Sequence, residues 1–209
     1  MSLQDKNEIC LTGRINKIFR YRNLTNIVIT TGIISKPNNT VEYIRPSVIF
    51  LGEMKEEADK FKRGMQVNIL AHVSSRMFYD ENTKRNHYKQ SLVGDYIVHP
   101  QSELEKEFGL ASKKTAAPQN TASFAGKVYS LWRISDKTIK ICISSATKID
   151  GKKRINIAAC EFHTPHTNEI LEDIRKGDRV CAVGTIKSYT KKSDLKTYNR
   201  IALTDLQKI

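Results

Sequence analysis

The sequence predicts an all-β fold, mainly strand with one short helix per repeat, arranged as two tandem five-stranded barrels. Three observations carry that prediction. A shift of 113 residues superposes Gly13 on Gly126, Arg20 on Arg133, Ile44 on Ile157, Gly64 on Gly177 and Val67 on Val180, in phase and without a gap, so the chain is two copies of one unit. Each copy holds five segments rich in β-branched and aromatic residues. One segment per copy breaks that pattern with apolar residues at helical spacing.

In the first copy the strands are Leu11 to Phe19, Asn26 to Thr31, Val41 to Phe50, Met65 to Ser75 and Tyr88 to Val98. Met54, Ala58 and Phe61 give Glu53 to Phe61 a helical face. The second copy repeats the order with Ser123 to Trp132, Lys137 to Ser144, Arg154 to Phe162, Arg179 to Tyr189 and Lys196 to Leu206, and its helix is Asn168 to Ile174. Lys62-Arg63-Gly64 and Arg175-Lys176-Gly177 read as helix stops, cations in the last turn and a left-handed glycine cap. After the first copy, Ser102 and Glu105 form a capping box for a short helix through Leu104 and Phe108. Ala111 to Ala122, rich in Ala, Lys, Ser and Thr around Pro118, reads as a linker. The expected division is residues 1–98, a helix and linker over 99–122, and 123–209. Five strands with a helix between the third and fourth describe the OB barrel.

The charge narrows the partner. The 209 residues carry 35 basic and 22 acidic side chains, a net charge of +13. Residues 1–110 hold 16 basic against 13 acidic and residues 111–209 hold 19 against 9, so the field is concentrated in the second half. Such an excess points to a polyanion. No apolar stretch is long enough to span a membrane and Met1 to Asp5 begin no signal peptide, which leads to the expectation of a cytoplasmic protein.

Catalysis finds no support. There is no Gly-x-Ser-x-Gly elbow and no His-Glu-x-x-His helix, and Gly126-Lys127 lacks the rest of a phosphate loop. Cys10, Cys142, Cys160 and Cys181 form no Cys-x-x-Cys pair and sit among apolar or small neighbours, as buried thiols do. Cys160, His163 and His166 are the one run with metal-ligand spacing, and it lacks a fourth ligand. No metal and no cofactor are expected.

Rings alternate with cations instead, as in Phe19-Arg20-Tyr21-Arg22, Arg76-Met77-Phe78-Tyr79 and Trp132-Arg133. A sequence-tolerant single-strand groove needs this alternation, because bases stack on rings while neighbouring cations hold phosphates. Strand alternation places one member of Phe78-Tyr79 inward and the other outward.

The first copy resembles the bacterial and phage single-stranded DNA-binding proteins. The residues that carry the resemblance are Gly13, Glu42-Tyr43, Val48-Ile49-Phe50, the helix rich in Glu and Ala, Lys62 to Val67, Val73 to Asp80 and Tyr88, and the second copy keeps Gly126, Lys176 to Val180, Ile186 to Tyr189 and Tyr198. The resemblance implies single-stranded DNA as partner, with base stacking on Tyr43, Phe50 and Phe78 beside Tyr79. In the second copy Asn156 and His163 stand at the third-strand positions, so Tyr189 and Trp132 take over stacking. The full candidate set adds Arg20, Arg45, Arg76, Lys84, Arg85, Tyr88, Arg133, Lys152, Lys153, Arg154, Lys187, Lys191, Lys192, Lys196 and Tyr198. Fused repeats imply a homodimer, and replication proteins are possible further partners, although Leu203 to Ile209 is not the acidic recruitment tail of many family members. An RNA-binding protein and a replisome adaptor, one barrel holding a protein partner, remain as alternatives.

Overall fold

A computed structural model describes residues 4–35, 40–81, 84–100, 119–149, 152–190 and 197–209. The strands are β1 (Lys6–Arg20), β2 (Leu24–Ser35), β3 (Thr40–Ile44), β4 (Ser47–Leu51), β5 (Gln66–Asp80), β6 (Arg85–Val98), β7 (Asn120–Ser135), β8 (Thr138–Ile149), β9 (Lys152–His163), β10 (Arg179–Thr190) and β11 (Thr197–Lys208). Helix α1 (Glu53–Asp59) follows β4 and α2 (Thr167–Asp173) follows β9. The expected helix through Leu104 and Phe108 lies outside the described residues.

Strands β1, β5, β6, β4 and β2 pair in that order and β2 returns to β1, which makes a closed five-stranded barrel. Strands β7, β8, β9, β11 and β10 pair in the same manner, with β10 returning to β7. In each set one parallel ladder, β4–β6 or β9–β11, closes an otherwise antiparallel ring. The two sets join through an antiparallel β1–β7 ladder from Lys6 opposite Ala125 to Leu11 opposite Asn120. Ile9, Leu11, Ile27, Ile29, Val48 and Val73 fill one interior and Ile141, Ile143, Cys160, Val180, Ile186 and Ile201 the other, all shielded from water.

Backbone irregularities recur at the interval of 113 residues. Strand β1 bulges at Asn16 and β7 at Tyr129, and the ladder shift at Leu70 recurs at Val183. Asn7 uses its side-chain amide to receive the Val73 N–H at 2.9 Å and donate to the Val73 carbonyl at 2.8 Å, and Asn120 does the same to Ile186 at 2.9 and 2.8 Å. A Cβ on Gly13 would lie 2.4 Å from the Thr30 carbonyl oxygen, and one on Gly126 2.1 Å from that of Ser144, so both first strands need glycine where a neighbour crosses closely.

Three expectations need correction. The third strand of the first half is interrupted, β3 ending at Ile44 and β4 starting at Ser47, because Pro46 has no N–H to donate and constrains Arg45 before it. Ala159 occupies the corresponding position of β9, which runs unbroken. The basic-basic-Gly sequences do not cap the helices: α1 ends at Asp59, and Gly64, at φ +90°, is the third residue of a turn closed by the Met65 N–H on the Lys62 carbonyl. Gly177, at φ +95°, does the same in a turn closed by Asp178 on Arg175. Such turns require positive φ at that position just as a cap does. Finally, Asn120 to Ala122 belong to β7, paired with Leu11 to Ile9, and are not linker.

Candidate nucleic-acid interface

Tyr43 stands on β3 opposite Gly32 and is 73% exposed. Phe50 has the opposite fate. It is 0% exposed, its ring filling the space where a Cβ on Gly94 would fall 2.1 Å away, so its assignment as a stacking residue is overturned. The sequence contained the signal: the two are seven residues apart, an odd separation that period-two alternation puts on opposite faces.

Beyond Ala71, β5 pairs only with β6, and the two form a projecting hairpin. Met77, Phe78 and Tyr79 are therefore all exposed, against the expectation that one of Phe78 and Tyr79 points inward. Arg76 is exposed on the same arm and Lys84 at the tip. The corresponding hairpin is β10–β11, where Tyr189 and Tyr198 are cross-strand partners whose rings stack at 5.7 Å and 23°. Trp132 is 44% exposed on β7, opposite Lys140 of β8. Phe61 and Phe162 pack against the cores.

Each hairpin lies across the third strand of the other half. Gln90 of β6 clamps Ala159 of β9, accepting from its N–H at 2.9 Å and donating to its carbonyl at 3.3 Å, while the Ser75 hydroxyl accepts the Ile157 N–H at 2.8 Å. Reciprocally, Asn199 of β11 clamps Ser47 at 3.1 and 2.7 Å and the Ser188 hydroxyl accepts the Arg45 N–H at 2.7 Å. Lys187 reaches Glu42 at 3.8 Å. Asn156 is buried under this contact, which explains why an aromatic is missing there. A cavity of about 260 Å³ opens at the seam, lined by Gln90 from one half and Lys140, Glu161, Tyr189, Asn199 and Arg200 from the other. Glu161 pairs with Arg200 at 3.1 Å inside it.

The other candidates are distributed as follows. Arg20 is held at the end of α1, donating to the carbonyls of Asp59 and Phe61 at 3.1 and 2.9 Å and pairing with the Asp59 carboxylate at 3.3 Å. Asp59 also accepts from Thr25 at 2.5 Å and Lys55 at 2.6 Å, and these donors hold its carboxyl below the ordinary value. Arg133 donates to Asn168 of α2, so both equivalent arginines tie a first strand to a helix. Arg45 and Arg154 are exposed and Lys187 is half-buried. The side chains of Arg85, Tyr88, Lys152 and Lys153, and all of Lys191, Lys192 and Lys196, lie outside the described residues.

Cys160 faces the core with its thiol pushed well above the ordinary value by burial, whereas His163 bonds Thr138 at 2.8 Å and His166 bonds Glu169 at 3.0 Å. That run is not a ligand set. Among the described residues no helix is long and apolar enough to cross a membrane.

Sequence reasoning missed Arg14 and Arg63 beside Tyr43, and Gln90, Lys140 and Arg200 at the seam. No local motif marks them, since they come together only through strand register.

No protein-family model matches the sequence, and no curated protein matches it. Among solved structures, wild-type single-stranded DNA binding protein from Thermus aquaticus aligns at a TM-score of 0.65 and 12% identity, over 99% of this chain and 94% of that one. A deletion mutant of the same protein gives 0.63 at 11%, over 99% and 95%. The resemblance read from the sequence is borne out at the level of the fold, and it extends over both halves.

Proposed function

We propose that this protein binds single-stranded DNA with little sequence preference, and that it coats and protects exposed strands during replication and recombination. In this reading the chain is two tandem OB barrels, residues 1–98 and a second that begins with β7, and it is a binding protein rather than an enzyme. The observation that carries it is the exposure of Tyr43, Phe78, Tyr79, Trp132 and Tyr189, large rings placed on sheet and hairpin surfaces beside cations instead of in the cores. Water-exposed rings on a chain of net charge +13 suit bases that stack in any order while the backbone is neutralised. The likeness to the Thermus aquaticus protein supports the same reading.

The halves contribute unequally. Tyr43 belongs to the first, and the stacked pair Tyr189–Tyr198 with Trp132 to the second, so a strand crossing the seam meets rings from both. The remaining candidates, Arg45, Arg76, Lys84, Arg85, Tyr88, Lys152, Lys153, Arg154, Lys187, Lys191, Lys192 and Lys196, would line that path as phosphate or base contacts. The chain acts as a homodimer in this proposal, with replication proteins as further partners.

The test is titration of the full chain with a labelled poly-pyrimidine strand and its duplex at low and high salt, following anisotropy and Trp132 fluorescence. Tight single-strand binding that weakens with salt and quenches Trp132 is expected. Equal affinity for duplex, or no binding, would sink the proposal. A preference for the matched RNA strand would indicate a contact to the 2′-hydroxyl and favour the RNA reading.

A further inference from the structure

Beside Tyr43 the surface continues into a channel that lies off the third strand and hairpins. Tyr43 lines a cleft of about 480 Å³ with Arg14, Asn16, Arg63 and Gln66. A second cleft of about 380 Å³ shares Asn16 and Arg63 and adds Lys17, Phe19, Arg20 and Lys62. Among the described residues no acidic side chain lines either one. Arg20 is held by Asp59, but Arg14, Lys17, Lys62 and Arg63 are exposed and make no ion pair with any described residue. Like charges gathered in one concavity repel, and a polyanion relieves that repulsion.

Two backbone devices shape the channel: the β1 bulge at Asn16 and the turn of residues 62–65. The Gly64 N–H donates to the Ile15 carbonyl at 2.8 Å and ties the turn to the strand. Both recur in the second half, where the Gly177 N–H donates to the Val128 carbonyl at 2.9 Å beside the bulge at Tyr129. Lys127, Arg175 and Lys176 stand where Arg14, Lys62 and Arg63 stand, and Trp132 where Phe19 stands. Lys176 Nζ lies 5.9 Å from the centre of the Tyr129 ring. The turn cations and the first-strand ring at Phe19 or Trp132 thus recur at equivalent positions in two halves whose third strands differ, while Tyr129 has Asn16 as its counterpart.

We propose that this channel and the equivalent surface of the second half bind the sugar–phosphate backbone of a single strand beyond the base-stacking surface, carrying it from Tyr43 round the barrel end to Phe19 in one half and over Lys127, Arg175, Lys176 and Trp132 in the other. The inference rests on the single-strand reading above and adds its phosphate path.

The test uses the full chain with Arg14, Lys17, Lys62 and Arg63 all changed to Gln, and separately with Lys127, Arg175 and Lys176 changed to Gln, titrated with long poly-dT over a range of salt. Each lost phosphate contact lowers the slope of log affinity against log salt by about 0.7, so the first variant should lose about 3 and the second about 2. The melting curves should match wild type, since all seven side chains are exposed. Tyr43→Ala is the control that weakens binding with the slope intact. A wild-type slope in both charge variants, with wild type still binding poly-dT, overturns the channel alone. An equal loss on duplex DNA overturns it as a single-strand path, and a wild-type chain that fails to bind poly-dT removes the function and the channel together.

Discussion

Tyr43→Ala and Phe50→Ala, two ring deletions seven residues apart, should fail in different ways. Tyr43 is mostly in water, so its loss should change stability by no more than about 0.5 kcal/mol. If a base stacks on it, the deletion removes about 1 to 3 kcal/mol of binding, roughly 5- to 150-fold in Kd. No cation leaves with the ring, and the salt slope should stay as it was. Phe50 is wholly enclosed in the barrel and packed on the Gly94 backbone, so Phe50→Ala opens a cavity and should lower stability by about 3 to 5 kcal/mol. The folded fraction should bind as wild type does. Urea melts by circular dichroism give one axis, and anisotropy titrations with poly-dT at two salt concentrations give the other. Full affinity in Tyr43→Ala would remove Tyr43 from the interface. Weakened binding by Phe50→Ala with an unchanged melt would mean that the burial argument is wrong.

Asn120→Ala should destabilise the chain by about 2 to 4 kcal/mol in urea melts, because it strips both partners from the Ile186 N–H and carbonyl at a buried site. The Asp59 carboxyl is held below its ordinary value of 3.8 by Lys55, Thr25 and Arg20, so its contribution is whole above that pH and is lost as pH falls through the lowered folded-state value. Asp59→Asn should accordingly be less stable at neutral pH and show a flatter decline in acid melts below about pH 4. Glu161→Gln removes the one carboxylate that lines the seam cavity among the described residues and releases Arg200 for phosphate, so single-strand affinity at low salt should rise and the salt slope steepen by about 0.7, read by the same titrations.

The architecture was legible wherever the chain repeats a backbone requirement. Gly13 and Gly126 mark a close strand crossing, and Gly64 and Gly177 mark a positive φ, so their common spacing marks the same backbone requirements in both halves. The role of the second pair was not legible, since a helix cap and a tight turn demand the same φ. Local chemistry gave the rings, and period-two alternation would have separated Tyr43 from Phe50 had it been applied through the break at Pro46. It fails for Phe78 and Tyr79, because the outer end of this hairpin, beyond Ser75, leaves both faces in water.

What no window of sequence contains is the crossing of the halves. Gln90 and Asn199 occupy equivalent positions in their hairpins, opposite Ser75 and Ser188, and each clamps the third-strand region of the other half. A surface on either third strand is therefore bordered by a hairpin from the opposite copy. Divergence then has a direct meaning: burying Asn156 beneath the first hairpin removes a stacking position from β9, while the second hairpin comes down at Arg45 and Ser47 and leaves Tyr43 exposed on β3. Pro46 interrupts the ladder between those two points without shifting its register along β2, so the ring on β3 stays in line with β4 and clear of the second hairpin, whereas β9 runs unbroken beneath the first.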